Sequence, residues 1–120
     1  MKTKQDPRHI KREHLMQLLY TWDFQKKKSA QISSIVENID NIDDLIRHAA
    51  SQRPIEGINK IDLAILRLSI FELIMEKGAP YKVIVDEAVE LGKEFGSDSS
   101  ASFINGVLGK VIEEQKLDEQ

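Results

Sequence analysis

The sequence predicts an all-α fold, a compact bundle of about six helices. Three observations lead there. Apolar residues recur at helical spacing along almost the whole chain, with no convincing alternation of period two. The Asn105-Gly106 pair sits inside such a pattern and does not separate two strand-like runs. The breaks between periodic stretches are short, as in helical bundles. At 120 residues the chain is expected to form a single domain over 1–120, with flexible ends at 1–7 and 114–120.

The first helix is expected over 8–24, after the boundary set by Pro7. Its apolar positions are Ile10, Leu15, Leu18, Leu19 and Trp22. A polar break, Lys26-Lys27-Lys28-Ser29, separates it from a second helix over 30–39. A third covers 42–50 and stops before Pro54. The fourth, over 60–77, is apolar around much of its circumference and is therefore the central, mostly buried one. Asn59 can cap its start, Gly78 can turn left-handed past its end, and Pro80 blocks continuation. Pro80 opens the fifth helix, which runs to Gly96. The Ser97-Asp98-Ser99-Ser100 stretch then offers N-caps for the last helix, which carries Phe103, Ile104, Val107, Leu108, Val111 and Ile112.

Several function classes are disfavoured. Without cysteine there is no disulfide, thiolate metal site or cysteine nucleophile, and a reducing, cytoplasmic setting fits. The first residues lack the apolar run of a secretory signal, and no stretch approaches the roughly 20 apolar residues that cross a bilayer. No enzyme is expected. Gly92, Gly106 and Gly109 are isolated within helices, form no phosphate-binding loop, and read as points of close helix approach. His9 and His14 are five apart, which does not stack two imidazoles on one helix face. No metal and no cofactor are therefore expected. The carboxylates Asp86, Glu90 and Glu94 form a like-charged stripe, read as a solvated face or as a strip for a basic protein. Arg67, inside an apolar run, requires a carboxylate partner from among Glu72, Glu87 and Glu90. Asn105 is expected to hydrogen-bond between helices.

Charge is distributed unevenly. The net charge is −3, but residues 1–28 carry +5 and residues 29–120 carry −8. A basic arm on an acidic body suits two different partners, phosphate at one end and a basic protein at the other. Within the arm, Arg8, Lys11 and Arg12 occupy the first turns of a helix, where positive charge opposes the macrodipole. With only Glu13 nearby in sequence, they have no evident folding role there. Free backbone N–H groups and basic side chains together suit a phosphate.

The blocks "IDLAILRLSIFEL" (61–73), "APYKVIVDEAVELGKEFGS" (79–97) and "FINGVLGKV" (103–111) resemble the NusB family of transcription antitermination factors in order and spacing. The opening "REHLMQLLYTW" (12–22) is similar to the family's first helix. The resemblance implies a fold of two small antiparallel helical bundles. It implies binding of boxA-type RNA from ribosomal RNA leaders together with the NusE-type small-subunit ribosomal protein. That heterodimer would act within an RNA polymerase antitermination complex, without catalysis. By position, Arg8, Lys11 and Arg12 fall in the RNA-contacting stretch. Tyr20, Asp62 and Phe103 fall near the surface that meets the ribosomal protein. Ser99 falls at the start of the last helix, where both partners come close.

Three departures from the family pattern carry expectations. His9 and Ile10 stand where arginines are common, which implies weaker and less salt-sensitive RNA binding. The chain is short between Trp22 and Ile42, which leaves the first bundle open to exposed apolar surface or to pairing with another chain. Gly109 replaces an acid, which loosens the last helix. The alternative function is a protein-interaction module of the same fold that has lost RNA recognition. NusB-like segments also precede the cofactor domain of some ribosomal RNA cytosine methyltransferases; no such domain lies within these residues, and methylation is not expected.

Overall fold

Asp6 and Pro7 set the start of the first helix, α1 (Pro7–Gln25). The Asp6 carboxylate accepts from the Arg8 backbone N–H at 2.8 Å, and Pro7 occupies the first helical position, where its missing N–H is no loss. The computed structural model describes residues 6–119. Of the ends expected to be flexible, residues 1–5 and 120 lie outside that range. α1 ends at Lys26, left-handed with φ 55°, whose N–H reaches Trp22 O at 2.7 Å. Its inward stripe is His9, Arg12, Met16, Leu19 and Asp23, spaced by three and four. Ile10, expected among the apolar positions, is 51% exposed.

The helix expected over 30–39 is divided. A 3-10 turn (Ala30–Ile32) leads into α2 (Ser33–Glu37), and α3 (Ile39–Ala49) follows after a break at Asn38. The Asn38 side-chain amide donates to Ser34 O at 2.8 Å, which competes with a continuous backbone ladder. Short as it is, this segment delivers Ile32 and Ile35 to the core, beside Ile42 and Ile46 of α3. A second 3-10 turn (Ile55–Gly57) leads to the central helix.

That helix, α4 (Lys60–Phe71), buries every residue from Asp62 to Ile70. Asn59 caps it as expected, accepting from the Ile61 N–H at 2.8 Å. It continues into a π-helical turn (Glu72–Glu76) closed by Lys77 N–H to Glu72 O at 2.8 Å. Because that turn ends one residue early, Lys77 takes the left-handed conformation (φ 55°), and Gly78 does not. α1 and α4 are antiparallel, since Arg12 meets Glu72 and Asp23 meets both Lys60 and Arg67. Arg67 pairs with Asp43 (3.0 and 2.9 Å) and Asp23 (2.8 Å), not with Glu72, Glu87 or Glu90. It also lies 5.5 Å from the Trp22 ring.

α5 (Tyr81–Phe95) and α6 (Ser100–Glu114) form the second hairpin. Gly92 permits their approach, because a Cβ there would lie 2.9 Å from Ile104 Cδ1 and 3.5 Å from Ala101 N. Gly96 is tighter still: its Cβ would lie 2.6 Å from Ser100 Cβ and 2.8 Å from Gly92 O. Gly106 and Gly109, expected at close contacts, have nothing within 4 Å of such a Cβ. Asn105 is exposed and forms none of the hydrogen bonds found among the described residues, so it bridges no helices. Gly96→Ala is expected to destabilise by about 1–3 kcal/mol through overpacking. Gly109→Ala is expected to stabilise by about 0.5–1 kcal/mol through helix propensity. Chemical denaturation of the two variants should move in opposite directions.

No helix among the described residues is long and apolar enough to cross a membrane.

Candidate nucleic-acid and partner surface

The first two turns of α1 hold three basic residues in different environments. Arg8 is 83% exposed, and its guanidinium folds back onto Asp6 at 2.9 and 3.2 Å. The contact holds the Asp6 carboxyl at about 2, chiefly through the Arg8 side-chain hydrogen bond. Lys11 is exposed and forms no ion pair among the described residues. Arg12 points inward. It donates from Nε and Nη2 to Glu72 at 2.8–3.2 Å and from Nη1 to Glu87 at 3.3 Å. The Glu72 hydrogen bond is the main cause that raises the Arg12 guanidinium above its ordinary value.

The three bases therefore do not act alike. The expectation of unpaired bases holds at Lys11 but fails at Arg8, which pairs with Asp6, and at Arg12, whose partners come from the π-helical turn after α4 and from α5, some 60 and 75 residues away in sequence. His9 is also inward and 3% exposed, with Nε2 2.7 Å from Glu94 Oε1. Glu94 is thus not simply part of a solvated stripe, while Asp86 is exposed as expected. The periodicity held the signal: positions 9, 12, 16 and 19 lie on one face of a helix, but the first two are polar.

A groove of about 820 Å³ opens beside this end of α1. Arg8, Lys11 and His14 form one wall, Glu76 and Val83 lie across it, and Leu15, Ile35 and Phe71 contribute apolar surface. His14 is held by Gln31, Nε2 to Oε1 at 2.8 Å. The shortened segment after Trp22 borders the groove through Gln31, Ser34 and Ile35.

The His9–Glu94 contact brings the start of α1 to the end of α5, five residues before Ser99. Ser99 is the exposed N-cap residue of α6, without a side-chain cap bond. Buried Ser100 instead accepts the Ser97 N–H at 2.8 Å. Phe103, one turn into α6, packs on the core beneath Arg53, whose guanidinium lies 4.2 Å from the ring. Tyr20 and Asp62 belong to the other end of the α1–α4 pair. Tyr20 meets exposed Phe24 edge to face at 4.9 Å. Asp62 is 2% exposed in the first turn of α4, and its Oδ1 has no hydrogen-bond partner. Arg8 and Lys11 thus lie at the end of the α1–α4 pair opposite Tyr20 and Asp62, and the His9–Glu94 contact joins the end of α5 to that start of α1.

The NusB family profile matches residues 29–113. The transcription antitermination protein NusB of Dehalococcoides mccartyi is 44% identical over 104 residues, covering 82% of this chain and 73% of the relative. The protein of the same name from Psychromonas ingrahamii is 32% identical over 142 positions, covering 100% and 97%. That alignment is longer than the 120 residues of this chain, so the relative carries residues this chain lacks. Among solved structures, T. maritima NusB superposes with a TM-score of 0.84 at 28% identity over the full length of both chains. A structure of antitermination factors NusB and NusE with double-stranded RNA matches with a TM-score of 0.76 at 22% identity, covering 91% and 99%, a likeness of fold.

Proposed function

The chain belongs to the NusB family, and on that premise we propose that it is a transcription antitermination factor. It binds boxA-type RNA from ribosomal RNA leaders together with a NusE-type ribosomal protein, within an RNA polymerase complex in the cytoplasm. It binds and does not catalyse. The observation that carries this reading is the exposure of Arg8 and Lys11 at a helix N-terminus, on an acidic protein. Phosphate oxygens are drawn to Arg8, Lys11 and the α6 start at Ser99, and Arg12 acts from behind by fixing α1 to α4 and α5. A basic partner meets the surface at Tyr20 and at Phe103, and Asp62 lies buried in the first turn of α4 with one carboxylate oxygen unbonded, to be reached only if that turn gives way.

With two outward bases in place of a run of arginines, RNA affinity is expected to be weak alone and to rise when the ribosomal protein is present. Titration of boxA-type RNA at low salt, with and without that protein, tests this. Absence of binding in both conditions contradicts it. The inward turn of Arg12 and His9 favours one second reading, a protein-interaction module without RNA recognition. Retention of the ribosomal protein with no RNA in the complex would select that reading.

A further inference from the structure

We propose that His9, Glu13 and Glu94 form a zinc site that ties the start of α1 to the end of α5. One ring nitrogen of His9 and one carboxylate oxygen from each glutamate all lie within 4.8 Å of one another, and Nε2 is the nitrogen that faces Glu94. Tetrahedral zinc bonds of about 2.0–2.2 Å would draw the wider of these separations in and open the 2.7 Å contact between His9 and Glu94. His9 and Glu13 are four apart, so they stand on one helix face. One imidazole and two carboxylates balance a divalent charge, and the imidazole selects zinc over magnesium or calcium.

Two further observations support the site. The first is the environment of the other ring nitrogen. His9 Nδ1 is buried without a hydrogen bond and faces Glu87 Oε2 at 3.4 Å. A proton on Nδ1 directed at Glu87 would let Nε2 exchange its 2.7 Å contact with Glu94 for a bond to the metal, the usual way a second carboxylate orients a ligating histidine. The second is charge. Glu72 and Glu87 share Arg12, whereas neither Glu13 nor Glu94 meets a lysine or arginine among the described ion pairs. Glu94 meets only the His9 imidazole and Glu13 meets no base among the described ion pairs, so a divalent cation would bring these carboxylates a charge that no lysine or arginine supplies. The spacing of His9 and His14 pointed away from a metal because the second ligand is Glu13 and the third lies on α5.

The site would add a cation beside Arg8 and Lys11, but its test requires no RNA. Thermal unfolding and calorimetry of the full chain are followed with zinc chloride alone, and with magnesium and calcium chloride for comparison. Zinc is expected to bind one per chain and to raise Tm, as a ligand of the folded state does. Magnesium and calcium are expected to leave Tm unchanged. Glu94→Gln should weaken zinc binding at least tenfold. Glu13→Gln should do the same and still fold, because Glu13 forms no hydrogen bond or ion pair among the described residues. His48→Gln, at an exposed position of α3, should change nothing. Nitrogen-15 spectra should place the metal on His9 Nε2. No zinc binding, or binding that Glu13→Gln leaves unaltered, overturns the proposal.

Discussion

Arg67→Met is expected to destabilise the protein by about 3–5 kcal/mol, because it removes the cation from a buried ion cluster and leaves a carboxylate behind. Arg67 is 6% exposed, Asp43 lies in the core layer of α3, and both guanidinium edges are occupied by Asp43 and Asp23. The loss belongs mainly to the stranded charge on Asp43. Adding Asp43→Leu should therefore restore part of it, and the double-mutant cycle measures how much. Urea denaturation reads both. The cluster also predicts acid sensitivity. Burial raises the Asp23 carboxyl, but hydrogen bonds from Arg67 and Lys60 outweigh it, and the net value lies below the ordinary 3.8. A carboxyl lowered in the folded state adds stability above its unfolded value, and that stability is lost as pH falls through the folded value. Wild-type stability should thus decline below about pH 4, and part of that slope should vanish in Asp23→Asn.

Arg12→Ala is expected to cost about 2–3 kcal/mol, less than a fully buried pair because the side chain keeps some solvent contact. Its side chain is 13% exposed, against 10% for Glu72 and 5% for Glu87. Removing it leaves two carboxylates facing each other across the α4–α5 junction. Arg8→Ala and Lys11→Ala should leave Tm unchanged, since neither side chain reaches a core group. The contrast separates the three basic residues by role: thermal unfolding should respond to Arg12 alone.

Much of the fold was legible because local signals and burial agree. The capping of α4 by Asn59, the stop at Pro80 and the unbroken apolar run of α4 follow from short-range chemistry. The departures share a cause, the placement of polar side chains by tertiary contacts. Hydrophobic periodicity omits His9 and Arg12, although both continue the inward stripe of Met16 and Leu19. Arg67 did require carboxylates, but Asp43 and Asp23 reach it through helix packing that linear distance does not reveal. Likewise Gly92 and Gly109 look alike in sequence, and only the neighbouring helix distinguishes a close approach from open surface. At the surface, the basic start of α1 was recognisable, but its division into outward Arg8 and Lys11 and inward Arg12 depends on Glu72 and Glu87.

The division is tested most directly by the salt dependence of RNA binding with the ribosomal protein present. On a single strand each phosphate contact adds about 0.7 to the slope of log K against log salt, so Arg8→Ala with Lys11→Ala should flatten it by about 1.4. Arg12→Ala, measured where it remains folded, should keep the wild-type slope. A double variant with an unchanged slope, or a flattened slope in Arg12→Ala alone, would contradict the assignment of RNA contact to the outward pair.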